Sequence, residues 1–301
     1  MAENADISAV SETLFLPIYS LALESQRPDP IMVDDGAVAL THRLNEYFAD
    51  SDKPIFRRLA AGRLPSALLT SMSLRIRQYD RLVTEFLKRN PDAIVVSLGC
   101  GLDDRRRRVD NSRVRWFDLD LPEIIELRRQ FLPETDRMRF IASSVLDFAW
   151  LDELPREPGR NFLFVAEGLF MYLPPEGVRS LVTTLRDRFT GAELIAEVAS
   201  RRSVRLLNSR FGRGKFKREF SLSENVVYTY GVEDGREFEA WAPGIELLSQ
   251  WTYFDEDEPK IGWYRWFAGW SLFRWAQWTV RYRLGPADAP TTPGAAQGST
   301  R

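Results

Sequence analysis

The chain has 301 residues, 44% of them hydrophobic, and a formal net charge of −2. That is enough apolar material for one large domain or a domain with an extra lobe, and it gives no bulk attraction to nucleic acid or membrane. One cysteine, Cys100, excludes an internal disulfide and fits a reducing cytoplasm; one histidine, His42, excludes His-rich metal sites and leaves a single imidazole for acid–base chemistry. No metal site is expected. No apolar run reaches transmembrane length, and Leu14–Leu23 has no basic residue before it and contains Pro17, so it does not read as a signal peptide.

Residues 1–90 read as a helical arm that could fold back as a lid over the rest of the chain. Its last helix carries Ile76, Tyr79, Val83, Phe86 and Leu87 on one stripe and stops at Asn90-Pro91. From Ile94 strands and helices alternate, as in a doubly wound α/β sheet. The predicted strands are Ile94 to Leu98, Val114 to Leu119, Met138 to Ala142, Phe162 to Ala166 and Leu194 to Val198, with two more at Ile245 to Phe254 and Trp278 to Leu284. Pro122 and Glu123 suit the first turn of a helix with Ile124, Leu127 and Phe131 inside, and Pro174-Pro175 opens another with Val178, Leu181, Val182, Leu185 and Phe189 inside. Five alternating strands and a late pair match a seven-stranded, Rossmann-like methyltransferase sheet in which the late pair supplies one antiparallel strand. Residues 91–285 form this core, with an insert at 201–243 before the last two strands. That insert holds a basic stretch from Arg201 to Arg218, readable as a solvated helix face, a clamp for an acidic substrate or, last, an RNA contact. Trp263, Trp266, Phe267, Trp270 and Phe273 recur at helical spacing and read as a helix packed on the sheet, with a membrane-surface helix as the other option. The tail from Pro286 to 301 is too polar and irregular to pack.

The chemistry centres on Gly99-Cys100-Gly101, where the first strand empties into a turn that a ligand can approach and a helix start comes next. Asp120 ends the second strand about 20 residues on, where an acid meets ribose hydroxyls in nucleotide-binding βαβ units. A dinucleotide site would put glycine at position 104; Asp104 stands there with Asp103 beside it, and both oppose a pyrophosphate. S-adenosylmethionine has no phosphate, and its sulfonium and ammonium groups suit nearby carboxylates. Cys100 reads as a small buried turn residue rather than a nucleophile.

Four blocks, in order, resemble one family: Arg75-Ile76-Arg77-Gln78-Tyr79-Asp80; Leu98-Gly99-Cys100-Gly101-Leu102-Asp103-Asp104-Arg105; Phe117-Asp118-Leu119-Asp120-Leu121-Pro122-Glu123; and Ala166-Glu167-Gly168-Leu169-Phe170-Met171-Tyr172-Leu173. The family is the leucine carboxyl methyltransferases with the bacterial tetracenomycin-type O-methyltransferases, and the likeness spans most of residues 10–285. The chain departs from the pattern at Cys100 (alanine is common), Asp118 (glutamate is usual) and Arg128-Arg129 (a lysine is typical). The resemblance implies an S-adenosylmethionine-dependent O-methyltransferase. It implies that Arg75 holds the methionyl carboxylate, a contact a guanidinium suits; that Gly99, Gly101, Asp103 and Asp120 line the nucleoside site; and that Asp147, with Phe148, meets the adenine. Glu167 would take the cofactor's amino group or orient the substrate. Tyr172 is the candidate for steering the acceptor and the methyl group, an aromatic packed at the top of the sheet being its other reading.

A carboxylate acceptor is already ionised at neutral pH and needs no general base, whereas a phenol with pKa about 10 would want one. The scarcity of histidine therefore favours methyl-ester formation on a small molecule or peptide carboxylate, although Glu, Asp or Tyr could serve a phenol. Methylation of an aromatic or polyketide phenol is the alternative, and a non-catalytic cofactor- or RNA-binding module the second. No nucleic-acid partner or stable membrane insertion is expected.

Overall fold

The computed structural model describes residues 12–157, 159–220, 226–267 and 269–286; the tail expected not to pack falls outside them from residue 287 on. The helical arm is α1 (Phe15–Ser25), α2 (Asp35–Tyr47), α3 (Pro54–Ala60) and the long α4 (Ser66–Arg89). The core continues β1 (Ile94–Leu98), α5 (Arg105–Val109), β2 (Arg115–Asp120), α6 (Pro122–Phe131), β3 (Met138–Ala142), β4 (Phe162–Ala166), α7 (Pro175–Arg188) and β5 (Ala192–Ala199). The insert contributes α8 (Arg201–Asn208) and α9 (Arg210–Phe220), and the chain closes through β6 (Ile245–Trp251), α10 (Ser271–Arg274) and β7 (Gln277–Leu284).

The seven strands lie in the order β3-β2-β1-β4-β5-β7-β6, parallel except for β7, which runs antiparallel to β5 and β6. The order reverses between β1 and β4, and in open α/β sheets the crevice outside such a point takes the ligand. β1 and β4 are buried along their whole length, which is why they read as unbroken apolar runs. On one face α4 sets Tyr79, Val83, Phe86 and Leu87 against Val95, Trp116, Leu163 and Ile195. On the other, α7 sets Val178, Leu181, Val182 and Leu185 against Val96, Phe164 and Leu194.

The arm has its own core, with Phe15, Leu21, Leu44 and Ile55 around the stacked rings of Phe48 and Phe56, 3.9 Å apart. Leu102, Leu127 and Phe131 of the sheet domain join it. Leu14 lies 3.9 Å from where a Cβ on Gly101 would stand, so the arm reaches the glycine turn.

Three expectations are corrected. The sixth strand ends at Trp251, because Thr252 and Asp255 cap a 3-10 turn there. The aromatic stripe is not one helix: Gly262, at φ +58°, breaks a 3-10 segment at Pro259–Phe267, and only Ser271–Arg274 is α-helical beyond it. Nor do its described members pack on the sheet: Trp266 is 87% exposed, and Trp270 and Phe273 are also on the surface; the side chains of Trp263 and Phe267 are outside the described set. The helix after the glycine turn is one short turn, Arg105–Val109.

The two departures Asp118 and Arg128 prove to be partners. Both are fully buried, 2.6 Å apart, and Arg128 also donates to the carbonyl of Gly101 at 3.0 Å and lies over the Phe140 ring. A shorter acid is met by a longer base. Removing one partner of a buried pair strands the other charge, so Arg128→Met is expected to destabilise the fold by about 3–5 kcal/mol. Adding Asp118→Leu should recover most of that loss in urea unfolding; a double variant as unstable as the single would show that the pair is not the cause.

Candidate active site

β1 ends in a turn where Gly99 has φ +67° and Gly101 φ +52°, left-handed values that side chains disfavour. A Cβ on Gly99 would also come within 3.0 Å of the Leu169 side chain. The amides of Gly99 and Cys100 donate to the carbonyl of Leu119 at 2.8 and 3.2 Å. Asp120 braces the turn: one carboxylate oxygen accepts from the Gly101 amide and the other from the Leu121 amide, each at 2.8 Å. Burial raises its pKa, opposed by those two backbone hydrogen bonds. Each oxygen keeps further acceptor capacity for a ligand hydroxyl. Cys100 packs among Ile125, Met138 and Phe140, and burial pushes its thiol well up, as expected of a packing residue.

Beside the turn runs a continuous chain of ion pairs. Asp34, the N-cap of α2, holds Arg108 at 3.0 Å; Arg108 and Arg105 both hold Asp80 of α4, at 2.6 and 2.8 Å. Arg105 reaches Glu167, at the tip of β4, at 2.5 Å, and Glu167 in turn holds Arg75 at 2.6 Å. Arg75 also meets both oxygens of Glu197 on β5, at 3.0 and 2.9 Å, and Gln277 of β7 donates to Glu197 at 2.5 Å. Arg75 and Arg105 are each only 5% exposed. Gly168, at φ +65°, brings the backbone past this cluster: a Cβ there would stand 3.6 Å from Glu197 and 3.9 Å from Arg75.

Asp103 joins the chain sideways, 3.1 Å from Arg105 and 2.8 Å from Arg108. Burial acts against its ionisation, but the two guanidinium groups outweigh burial and hold the carboxyl well below its usual range. Asp104 has no such pairing, and burial raises its pKa.

Tyr172, in a 3-10 turn at Phe170–Tyr172, stacks on Tyr228 of the insert with ring centroids 5.3 Å apart. Burial raises the pKa of the Tyr172, Tyr228 and Tyr253 phenols, and each feels the charges of Glu197 and Arg75. Asp147 lies further along the strand tips, exposed, accepting from the Ala149 amide at 3.3 Å, while Phe148 is half-buried against the core. The carbonyl of Asp120 accepts from the Ser143 amide at 3.0 Å and ties that loop to the glycine turn. His42 is exposed on α2.

Gly99, Gly101, Asp103, Asp120, Arg75, Glu167 and Tyr172 are thus gathered at the ends of β1, β2 and β4. Arg105, Glu197, Tyr228 and Tyr253 were missed. Glu197 had a signal, an acid inside an apolar strand; Arg105 sat in a run of four arginines that looks solvated. The arrangement fits a diol-bearing, phosphate-free ligand: Asp120 can accept from hydroxyls at a turn without side chains, while Asp104, which lacks the pairing of Asp103, opposes a pyrophosphate. Among the described residues no cluster of His, Cys, Asp or Glu is placed to hold a metal ion. No helix among them is long and apolar enough to cross a membrane.

Because the folded pKa of Asp103 lies below its unfolded value of about 3.9, its pairing stabilises the fold above that pH and is lost as the pH falls through the folded value. Asp103→Asn is therefore expected to lower urea-unfolding stability on the order of 2 kcal/mol at pH 7, with the gap to wild type narrowing below pH about 4. A gap unchanged between pH 7 and about pH 3 would remove this account.

Three comparisons bear on the lineage. The leucine carboxyl methyltransferase family profile matches residues 17–186. The chain is 32% identical over 257 residues to the tetracenomycin polyketide synthesis O-methyltransferase TcmP of Streptomyces glaucescens, covering 85% of this chain and 87% of that protein. It is 28% identical over 292 residues to the S-adenosyl-L-methionine-dependent methyltransferase dpfgK of Gibberella zeae, covering 93% and 94%. In fold it is similar to a DUF574 family protein from Streptomyces avermitilis, with a TM-score of 0.52 at 14% identity, covering 90% of this chain and 97% of that one. The chain belongs to the leucine carboxyl methyltransferase family of S-adenosylmethionine-dependent methyltransferases.

Proposed function

We propose that this methyltransferase alkylates oxygen, and that the oxygen belongs to a carboxylate, so that the product is a methyl ester on a small molecule or peptide. When bound, S-adenosylmethionine supplies an electrophilic methyl group on a sulfonium. Asp120 accepts from the ribose hydroxyls, and Asp147, beside Phe148, accepts from the adenine amino group. Arg75 takes the methionyl carboxylate while Glu197 and Gln277 hold its guanidinium in place, and Glu167 faces the amino group. The chain of ion pairs sets five carboxylates (Asp34, Asp80, Asp103, Glu167, Glu197) against four guanidinium groups (Arg75, Arg105, Arg108 and the exposed Arg107, 3.5 Å from Asp34), a surplus of one negative charge that favours a ligand with net positive charge.

One observation carries the choice of acceptor. The carboxylates beside Tyr172, Glu167 and Glu197, are locked on arginines, the phenols there are protonated donors, and the only imidazole is exposed on α2. Such a surrounding can hold and align an oxygen that is already anionic, but among the described residues it offers no free base for one that is not. Orientation and desolvation of the acceptor then supply the rate, an effect that reaches about 7–11 kcal/mol in well-aligned systems. The polyketide-synthesis relative keeps an aryl hydroxyl acceptor as the second reading.

Asp120→Ala is expected to weaken S-adenosylmethionine binding in calorimetry by roughly 10²–10⁴-fold without changing the far-ultraviolet circular dichroism, the loss of two hydrogen bonds to a charged acceptor. Undiminished binding would displace the cofactor assignment. Labelled methyl transferred to the acceptor should be released as methanol by mild base, and kcat should be flat from about pH 6 to 9, since a carboxylate stays ionised throughout. A base-stable product with kcat rising towards pH about 10 would establish the phenol reading instead.

A further inference from the structure

Tyr228 stacks on Tyr172, but the next three residues, Thr229, Tyr230 and Gly231, line a different cavity of about 470 Å³. No residue of the glycine turn or of the ion-pair chain contributes to it. Its volume lies within the range of small-molecule sites, about 300–1,000 Å³. Its other walls come from the start of α7, from α8 and from Trp241.

The lining carries three arginines against two glutamates. Arg201 is engaged by Glu237 at 2.8 Å and by Glu233 at 3.0 Å. Arg179 and Arg205 face no carboxylate partner among the described residues, and the one side-chain bond of Arg205 runs to the carbonyl of Arg201 at 3.4 Å. Val204 and Trp241 supply apolar and aromatic wall. Tyr230 is 5% exposed, and its buried hydroxyl has no hydrogen-bond partner. An orphaned buried donor costs about 1–3 kcal/mol, and a ligand oxygen would satisfy it. Burial raises the pKa of this phenol, so it stays a donor at neutral pH.

We propose that this cavity is a second small-molecule site, for an aromatic carboxylate. Its anionic group lies between Arg179 and Arg205, its ring lies against Trp241 and Val204, and the Tyr230 hydroxyl donates to it. Guanidinium groups suit the planar anion, and the indole suits the planar body. The site is independent of the cofactor crevice and stands whether or not the acceptor assigned above is right.

The test is calorimetry on the intact chain with 2-naphthoate as the probe, methyl 2-naphthoate as its neutral counterpart, and saturating S-adenosylhomocysteine in a parallel arm. The expected result is one naphthoate per chain with a Kd below about 1 mM, retained under S-adenosylhomocysteine and in Asp120→Ala, and at least tenfold tighter than the neutral ester. Arg179→Met and Arg205→Met change surface residues and should each weaken binding about tenfold, the loss of one charge-assisted contact. Tyr230→Phe keeps the ring packing and should weaken it about 3–10-fold. The proposal is overturned by the absence of saturable binding below about 1 mM, by equal affinity for the neutral ester, by displacement by S-adenosylhomocysteine, or by naphthoate affinity unchanged in all three variants.

Discussion

Glu167 is held between two arginines, Arg75 on one side and Arg105 on the other, and the crevice takes its shape from that arrangement. A carboxylate this buried would be costly if unpaired, and each of its partners is itself buried and needs a second acid. Arg105 finds Asp80 and Asp103; Arg75 finds Glu197; Asp80 recruits Arg108, which reaches Asp34. The requirement propagates until it has tied the arm, α4, α5, β4 and β5 together. Desolvation offsets most of the Coulomb gain in such a network, so what it supplies is placement more than stability. Arg75 is fixed between Glu167 and Glu197 because charges on the elements around it leave it nowhere else to go.

The glycine turn depends on a second, smaller arrangement of the same kind. Asp120 pulls the Gly101 amide from the front, and Arg128 pulls the Gly101 carbonyl from behind while its other end is anchored on Asp118. A residue held at both its amide and its carbonyl keeps its left-handed φ without a side chain to enforce it. The crevice is therefore held at the glycine turn through hydrogen bonds, and beside Arg75 through ion pairs.

How legible this was depended on whether the cause was local. β1 and β4 fall where they were read, Ile94–Leu98 and Phe162–Ala166, because strands buried within a parallel sheet write themselves as apolar runs; the edge strand β3 also falls where it was read, Met138–Ala142, with Arg139 and Ala142 exposed. Glycine turn and following acid were legible because their spacing is set by one βαβ unit. Arg105 and Arg108 were not: four arginines in a row look solvated, and only the acids arriving from α2, α4 and β4 bury them. Asp118 and Arg128 each looked like an isolated oddity, and their meaning lies in their distance. The aromatic stripe misled for the opposite reason: helical spacing was present, but Gly262 breaks the helix that would have used it. Tyr228 comes from an irregular segment with no period to read, and Tyr253 was read as the end of a strand but lies in a 3-10 turn, so nothing in the sequence aligned them with Tyr172.

Those phenols bear most directly on the chemistry. Tyr172, Tyr228 and Tyr253 stand near a surplus of negative charge and are buried, and both effects favour the protonated phenol. A tyrosine so placed can donate a hydrogen bond to an oxyanion and cannot remove a proton from a neutral hydroxyl. Were the same rings beside an unpaired lysine, the balance would tip towards phenolate and a base would be at hand; here Arg75, the cation among them, is neutralised by Glu197 and Glu167 before it can act that way. The ion-pair chain thus does two things with one set of contacts. It fixes the Arg75 guanidinium, and it leaves the surroundings of Tyr172 with phenol donors and with Glu167 and Glu197 paired, a surrounding that, under the function proposed above, suits an oxygen already carrying its charge.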